Sequence, residues 1–297
     1  MSASALARPE RADEAAARAR ARFLRALPLE LLWALAAFGG AAVFLVPFAW
    51  MLSSSLKTEA QVFVFPPQWI PDPIRWDKYL EVFTIQPTAL FLRNTVIVAL
   101  ASVTGEVVSS SLVAFGFARL RFRGRDKLFI VLLATLMLPS HVTLIPLFIF
   151  FRWLDWVNTW LPLIVPYWFG VPLAIFLLRQ FYLTISHELD DAARIDGAGF
   201  FDLYWRICLP LAKPALGVVA MMAIVNHWNE FTQPLIYLST KDLFTISVGL
   251  RAFQTEQTFL RVPILMASST VAVLPLIALF FAGQRFFVQG ISLTGMK

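Results

Sequence analysis

Cysteine is nearly absent. The single Cys208 excludes an intrachain disulfide, and no Cys/His grouping has metal-ligand spacing. Charge is scarce as well, at 15% of residues against about 25% in soluble domains. No GxxxxGK[ST] run occurs, which excludes a P-loop in this chain. Two fragments imitate catalytic motifs and fail. His187-Glu188 opens like a metalloprotease HExxH, but Asp191 stands where the second histidine belongs. Gly197-Ala198-Gly199 opens like a dinucleotide fingerprint, but Asp202 replaces its last glycine and no parallel-sheet unit surrounds it. Metal, nucleotide and cofactor chemistry are therefore not expected of this chain.

What the sequence has in abundance is apolar length. Apolar residues make up 59% of the chain, with 28 Phe and 10 Trp. The mean hydropathy is +0.70. A membrane-spanning helix needs about 20 mostly apolar residues. Six stretches meet that requirement, at 31–52, 92–118, 128–150, 161–183, 214–238 and 263–285. Pro166 and Pro172 fall inside the fourth, where neighbouring helices can satisfy freed backbone groups. The expected fold is an all-α integral membrane protein of six transmembrane helices.

The basic residues then set its orientation. The segment before the first span, the connections after the second and fourth, and the tail hold 17 Lys and Arg, against 7 on the other side. Both termini are thus expected in the cytoplasm of a multi-pass inner (cytoplasmic) membrane protein. The net charge of +6 belongs to this asymmetry, not to a nucleic-acid-binding face. The Ala/Arg-rich run 14–25 reads as a short amphipathic helix on the anionic inner leaflet. The expected organisation is a basic segment 1–30, a first helix with external loop 31–91, a five-helix core 92–285 and a tail 286–297.

The connection between spans four and five, 184–213, is long and not simply polar. Glu188, Asp190 and Asp191 lead into Ala192-Ala193, with acidic charge where a helix N-terminus favours it. Asp196-Gly197 signals a tight turn, since glycine takes positive φ freely. Phe200, Phe201, Tyr204 and Trp205 follow, up to Pro210. The pattern predicts helix, turn, helix outside the bilayer. The small residues at its centre suit close entry into a partner's groove, and they suit equally a helix pair packed on its own chain.

Asp191-Ala192-Ala193, Asp196-Gly197-Ala198 and Leu209-Pro210 resemble, at their spacing, the EAA loop of ABC importer permeases, with Asp191 where that family usually has Glu. Ser54-Ser55-Leu56-Lys57-Thr58, Arg93-Asn94-Thr95, Ala118-Arg119, Trp228-Asn229-Glu230-Phe231 and the C-terminal Gln284–Lys297 stretch extend the likeness to the maltose-transporter type of sugar permease. The resemblance implies a MetI-like permease fold whose cytoplasmic EAA coupling helix docks on an ATP-binding subunit. On this chain the dock would comprise Glu188, Asp191, Ala192, Ala193, Asp196, Gly197, Ala198 and Pro210. It further implies tail contacts from Gly290, Thr294, Gly295 and Lys297, and a contact with the binding protein around Leu250–Gln257. The implied partners are two ATP-binding subunits holding the ATP, a second, non-identical permease, an extracytoplasmic solute-binding protein, membrane lipid and a sugar substrate, with a polyamine, phosphorylated polyol or other small solute as the alternative cargo. The chain itself would be no enzyme.

Polar residues within spans usually face a bundle interior or a wet cavity. Glu106, Asn226, Trp228, Asn229 and Glu230 are therefore candidates for a translocation path, with Trp228 offering a ring face to a sugar. The competing reading of each is an interhelical hydrogen bond that fixes the bundle. Cys208, set among aromatic residues, reads as a small packing residue.

Overall fold

The computed structural model describes the backbone of residues 8–257 and 261–294, and the side chains of 31–139, 141–251 and 261–284. Every regular element among the described residues is helical. Four helical stretches are long and apolar enough to cross a membrane: Leu31–Ser55, Thr88–Arg119, Leu161–Thr184 and Val262–Gln284. A fifth arises if Phe200–Leu211 and Lys213–Asn229, bent by 75° at their junction, count as one span.

The Thr88–Arg119 helix is the centre of the bundle. Asn94, Val98, Ser102, Glu106, Ser110, Ala114 and Ala118, spaced four apart, are all buried. Residues four apart share one helix face, so this row is a single ridge. Its residues are mostly small, which lets neighbouring backbones approach without a hydrophobic driving force in lipid. Gly105 lies so close to the indole of Trp168 that an added Cβ would overlap the ring.

The same helix repairs the broken span beside it. Pro162, Pro166, Pro172 and Gly170, the last at φ +94°, interrupt the helix over 161–184. Backbone groups freed in a membrane interior must find partners. Ser102 Oγ donates to Leu163 O at 2.8 Å, Ser109 Oγ to Tyr167 O at 3.1 Å, and Ser110 Oγ accepts from Val171 N at 3.0 Å. Three hydroxyls of one helix thus replace bonds that the prolines and the turn at Gly170 removed.

Two expected spans are shorter than the hydropathy suggested. The 128–150 stretch is two helices, Arg125–Thr135 and Ser140–Trp153, parted by a turn that ends at Pro139. The 214–238 stretch ends as a helix at Asn229, because Glu230 is extended (ψ 123°) and Thr232–Tyr237 begins a separate turn. Hydropathy reports residence in an apolar medium, not helix continuity, and prolines with side-chain bonds decide the latter. At the chain ends, the first helix runs Arg8–Ser55 and the last Val262–Thr294, so the expected boundaries at 30 and 285 fall inside continuous helices.

At the end of the bundle where the first span finishes, residues 56–86 form a small cap. Thr58 and Gln61 make a reciprocal capping box over Glu59–Val62. The Asp77–Ile85 helix packs Val82 and Tyr79 against Ile264 and Ala267 of the last helix. Ser55 Oγ meets Tyr79 OH at 2.8 Å and Thr88 Oγ1 donates to Val82 O at 2.7 Å, tying the cap to two spans.

Candidate functional site

The 184–213 connection folds as a helix, a turn and a second helix. Ser186 caps the His187–Ile195 helix by accepting from Glu188 N, and acidic residues fill its first turn. Gly197 turns the chain at φ +81° with open space around its Cα. Phe200–Leu211 continues with a π-helical stretch at Leu203–Cys208.

One face of this unit is clamped to the bundle. Ala193, Leu203, Tyr204 and Cys208 join Ala114, Phe115, Ala118, Leu178 and Tyr182 in one buried cluster. Ser111 Oγ lies 2.7 Å from Tyr182 OH and 3.1 Å from Tyr204 OH, so three hydroxyls bridge two spans and the loop. The strongest fastening is Arg119, whose side chain is fully buried. Its Nη1 donates to Asp190 Oδ2 at 3.0 Å and its Nη2 to the carbonyls of Tyr182 and Ile185 at 2.8 and 2.7 Å. A planar guanidinium presents donors in two directions and so can hold a carboxylate and a helix end together.

The other face is bare. Ile195 is 86% exposed, Phe201 70% and Trp205 58%, and the rings of Phe201 and Trp205 stack. Glu188, Asp191, Ala192, Asp196, Gly197 and Pro210 are exposed and Ala198 is half-buried. Ala193 corrects the expectation that both alanines meet a partner. It is buried in its own chain, and only Ala192 faces outward. Cys208 is fully buried in the same cluster, as its packing reading required.

A second polar group occupies the bundle interior. His227 Nε2 lies 3.0 Å from Glu106 Oε2, joining the central helix to the Lys213–Asn229 helix. The Tyr167 ring meets the His227 ring edge-on at 4.3 Å. Just past the end of the Lys213–Asn229 helix, the Glu230 carboxylate accepts from Gln233 N in the first turn of Thr232–Tyr237 at 3.0 Å, while its carbonyl accepts from Ser247 Oγ at 2.6 Å. A cavity of about 10 Å³ lies among Thr95, Tyr167, His227, Glu230, Gln233 and Thr245. That is room for roughly one water molecule. Asn94 and Thr95 hold the neighbouring 240–246 segment: Asn94 Nδ2 donates to Asp242 O and Phe244 O, and Thr95 Oγ1 accepts from Ile246 N.

The candidate path residues therefore divide. Glu106 and Glu230 belong to this interior group. Trp228 does not offer a ring face, since it is 6% exposed and its Nε1 donates to Ala272 O at 3.1 Å. Asn226 and Asn229 lie exposed on the side of the helix away from the bundle, Asn229 bonding its own Val225 O. Gly290 and Thr294 fall in the last turns of the final helix, and Gly295 and Lys297 lie outside the described residues, as do the side chains of 252–257. Among the described residues no three His, Cys, Asp or Glu side chains converge as a metal site.

Arg119 reads in the sequence as one basic residue of a connection and His227 as one polar residue within a span, and neither carries a local signal for its carboxylate partner. Tyr167, Tyr182 and Ser111 carried no signal beyond being polar within apolar runs.

The fold and the sequence both have counterparts. A bacterial ABC transporter that imports the acidic polysaccharide alginate contains a chain of the same fold, with a TM-score of 0.77 at 20% identity, covering 89% of this chain and 98% of that one. The sulfoquinovosyl glycerol transport system permease of Agrobacterium fabrum is 34% identical over 254 residues, 85% of this chain and 89% of its own. The arabinooligosaccharides permease of Halalkalibacterium halodurans is 34% identical over 230 residues, 76% and 81%. The sn-glycerol-3-phosphate permease of Yersinia enterocolitica is 29% identical over 259 residues, 85% and 92%. Residues 107–293, from the middle of the central helix through the clamped loop to the last helix, match one family throughout. The chain belongs to the binding-protein-dependent transport system inner membrane components, a family of multi-pass membrane proteins.

Proposed function

We propose that this chain is one half of the transmembrane pathway of an ATP-driven importer for a sugar or oligosaccharide. Both termini lie in the cytoplasm, and six membrane passages result when Lys213–Asn229 and the broken Arg125–Trp153 segment each count as one, with Phe200–Leu211 left outside the bilayer. The observation that carries the reading is the two-faced 184–213 unit. Its inner face is locked to two spans through Arg119 and Tyr182, so a push on it moves the bundle. Its outer face offers Ala192, Ile195, Phe201 and Trp205 to a partner. An isolated soluble surface rarely leaves such an apolar patch bare.

The partners in this reading are two ATP-binding subunits, a second permease of different sequence and an external solute-binding protein. Nucleotide binds the ATP-binding subunits, and their closure draws the coupling helices together and opens the bundle outward. Relatives named for an arabinooligosaccharide and a sulfoquinovosyl glycerol support a sugar cargo. The relative named for sn-glycerol-3-phosphate keeps a second cargo class, a phosphorylated polyol or other small solute, in view.

Co-purification of the chain with its ATP-binding subunit in detergent tests the dock. The wild type is compared with Ala192→Trp, which fills the outward face and leaves the buried Ala193 cluster intact. Loss of the ATP-binding subunit, with the second permease still recovered, is expected. Equal recovery of that subunit by both proteins would sink the reading.

A further inference from the structure

The cap formed by residues 56–86 has an outward face that nothing in the chain covers. Trp76, Leu80 and Phe83 stand at i, i+4 and i+7 and are 67%, 73% and 46% exposed. That spacing puts them on one stripe of the Asp77–Ile85 helix. The opposite face carries the buried Lys78 and Val82. A helix apolar on both sides of a polar seam has two surfaces to bury, and the last span takes only one. The loop leading into it adds Phe65 at 91% exposed and Ile70 at 80%.

Two observations indicate what covers this face. The first is continuity with the membrane-facing surface. Ser53 Oγ donates to Trp69 O, and the Trp50 ring meets Trp69 edge-on at 5.1 Å, so the loop is fastened to the last turns of the first span. No part of that span's most apolar stretch is buried within the chain. The cap therefore sits at the depth where a span ends, the level at which Trp rings favour the headgroup zone. The second is charge. Arg75 pairs with Asp77 at 2.6 Å, and Lys78 pairs with Glu59 and Glu81 at 3.4 and 3.2 Å. The Arg75 bond holds the Asp77 carboxyl down at about 2. Both cations beside the stripe are thus paired within the cap, leaving no free positive charge there for an acidic protein partner to recognise.

We propose that the Asp77–Ile85 helix is an interfacial helix. Its Trp76/Leu80/Phe83 stripe is buried in the headgroup and upper acyl region of the leaflet at the end where the first span finishes. It works as a float that fixes the depth of the cap. The cap in turn sets the heights of the first, second and last spans, through Ser55–Tyr79, Val82–Thr88 and Val82–Ile264. Such a helix lies in the interface plane and gains stability from its buried apolar area.

The test uses the full transporter in liposomes, with cysteine placed singly at Leu80 and Phe83 and labelled with an environment-sensitive fluorophore. The native Cys208 is fully buried, and the wild type carried through labelling reports its background. Both sites tolerate replacement because their side chains project from the fold. Expected is a blue-shifted emission that lipids with a nitroxide near the headgroup quench more strongly than lipids with a nitroxide deep in the acyl chains. Aqueous iodide should quench little. Strong iodide quenching without lipid quenching would overturn the proposal, showing a face open to water. So would a blue shift insensitive to both quenchers, which marks burial against another subunit. Protection that appears only on adding the solute-binding protein would overturn it too, by assigning the stripe to that partner. None of these readouts depends on ATP-binding-subunit recovery, so failure here and failure of the importer reading are separable.

Discussion

Arg119 and Lys57 are both buried cations, and their fates differ because one has partners. Arg119 meets Asp190 and two carbonyls, so removing the carboxylate strands a guanidinium inside the protein. Breaking a buried pair from one side costs about 3–5 kcal/mol. Asp190→Ala is therefore expected to lower the melting temperature of the purified complex sharply and to release the ATP-binding subunit. An unchanged melting temperature would show that Asp190 is dispensable. Lys57 is fully buried, and its Nζ has no hydrogen-bond partner. Its compensation is the Trp50 ring, 3.9 Å away. A desolvated cation–π contact contributes about 2 kcal/mol, less than the several kcal/mol of removing an ammonium from water. Burial accordingly lowers the Lys57 pKa. The folded chain then releases this proton more readily than the unfolded one, so stability rises with pH as the ordinary lysine value is approached from below. Lys57→Met is expected to raise the melting temperature and remove that pH dependence. A lower melting temperature would mean the ammonium has a use that the fold does not show.

At the scale of elements, two glycines decide geometry that no other residue could. Gly197 holds φ +81° in open space, so a side chain there meets only backbone strain. The left-handed region costs a non-glycine residue about 1–2 kcal/mol, and a β-branched one is a genuine outlier there. Gly197→Val should keep the bundle assembled but misalign the two helices of the 184–213 unit. The expected result is retained co-purification with a loss of substrate-stimulated ATP hydrolysis; full stimulation would contradict it. Gly105 is constrained by neighbours instead, because the Trp168 indole occupies the place of a Cβ. Overpacking of this kind costs about 1–3 kcal/mol. Gly105→Ala is expected to lower thermal stability by that order, measured by unfolding in detergent. No change would mean that Trp168 swings away freely.

Much at this scale was legible in advance. The helix–turn–helix over 187–211 followed from acidic residues, two alanines, Asp-Gly and an aromatic run, all local signals. The breaks at Pro139 and Glu230 were not, because a 20-residue apolar window averages over them. Nor could the sequence say that Ser102, Ser109 and Ser110 repair the 161–184 break. Serine in an apolar helix is otherwise read as filler that bonds its own preceding turn.

For the whole molecule, the surface of the bundle has two characters. Leu31–Ser55 presents only apolar side chains over most of its length, as a lipid-facing span does. The Lys213–Asn229 helix instead exposes Asn226 and Asn229 beside Val225. Exposed amides are costly against hydrocarbon, so in the proposed importer this face would meet the second permease or the aqueous path. Asn229→Cys is expected to react with a membrane-impermeant thiol reagent in the assembled, cycling transporter, while Leu45→Cys does not. Reaction at Leu45→Cys alone would reverse the assignment of the two faces.

The sequence by itself determined the membrane class, the positions of most apolar passages, the two-helix connection and its turn, because each rests on residues close together in the chain. Tertiary structure alone decided which alanine faces outward, that Arg119 meets Asp190 across 71 residues, and that Glu106 meets His227 across 121. Composition sets the solvent a helix prefers, and local spacing sets its faces. The rotation and height at which two helices meet come only from packing them together, and in a bilayer those two variables choose every polar partner.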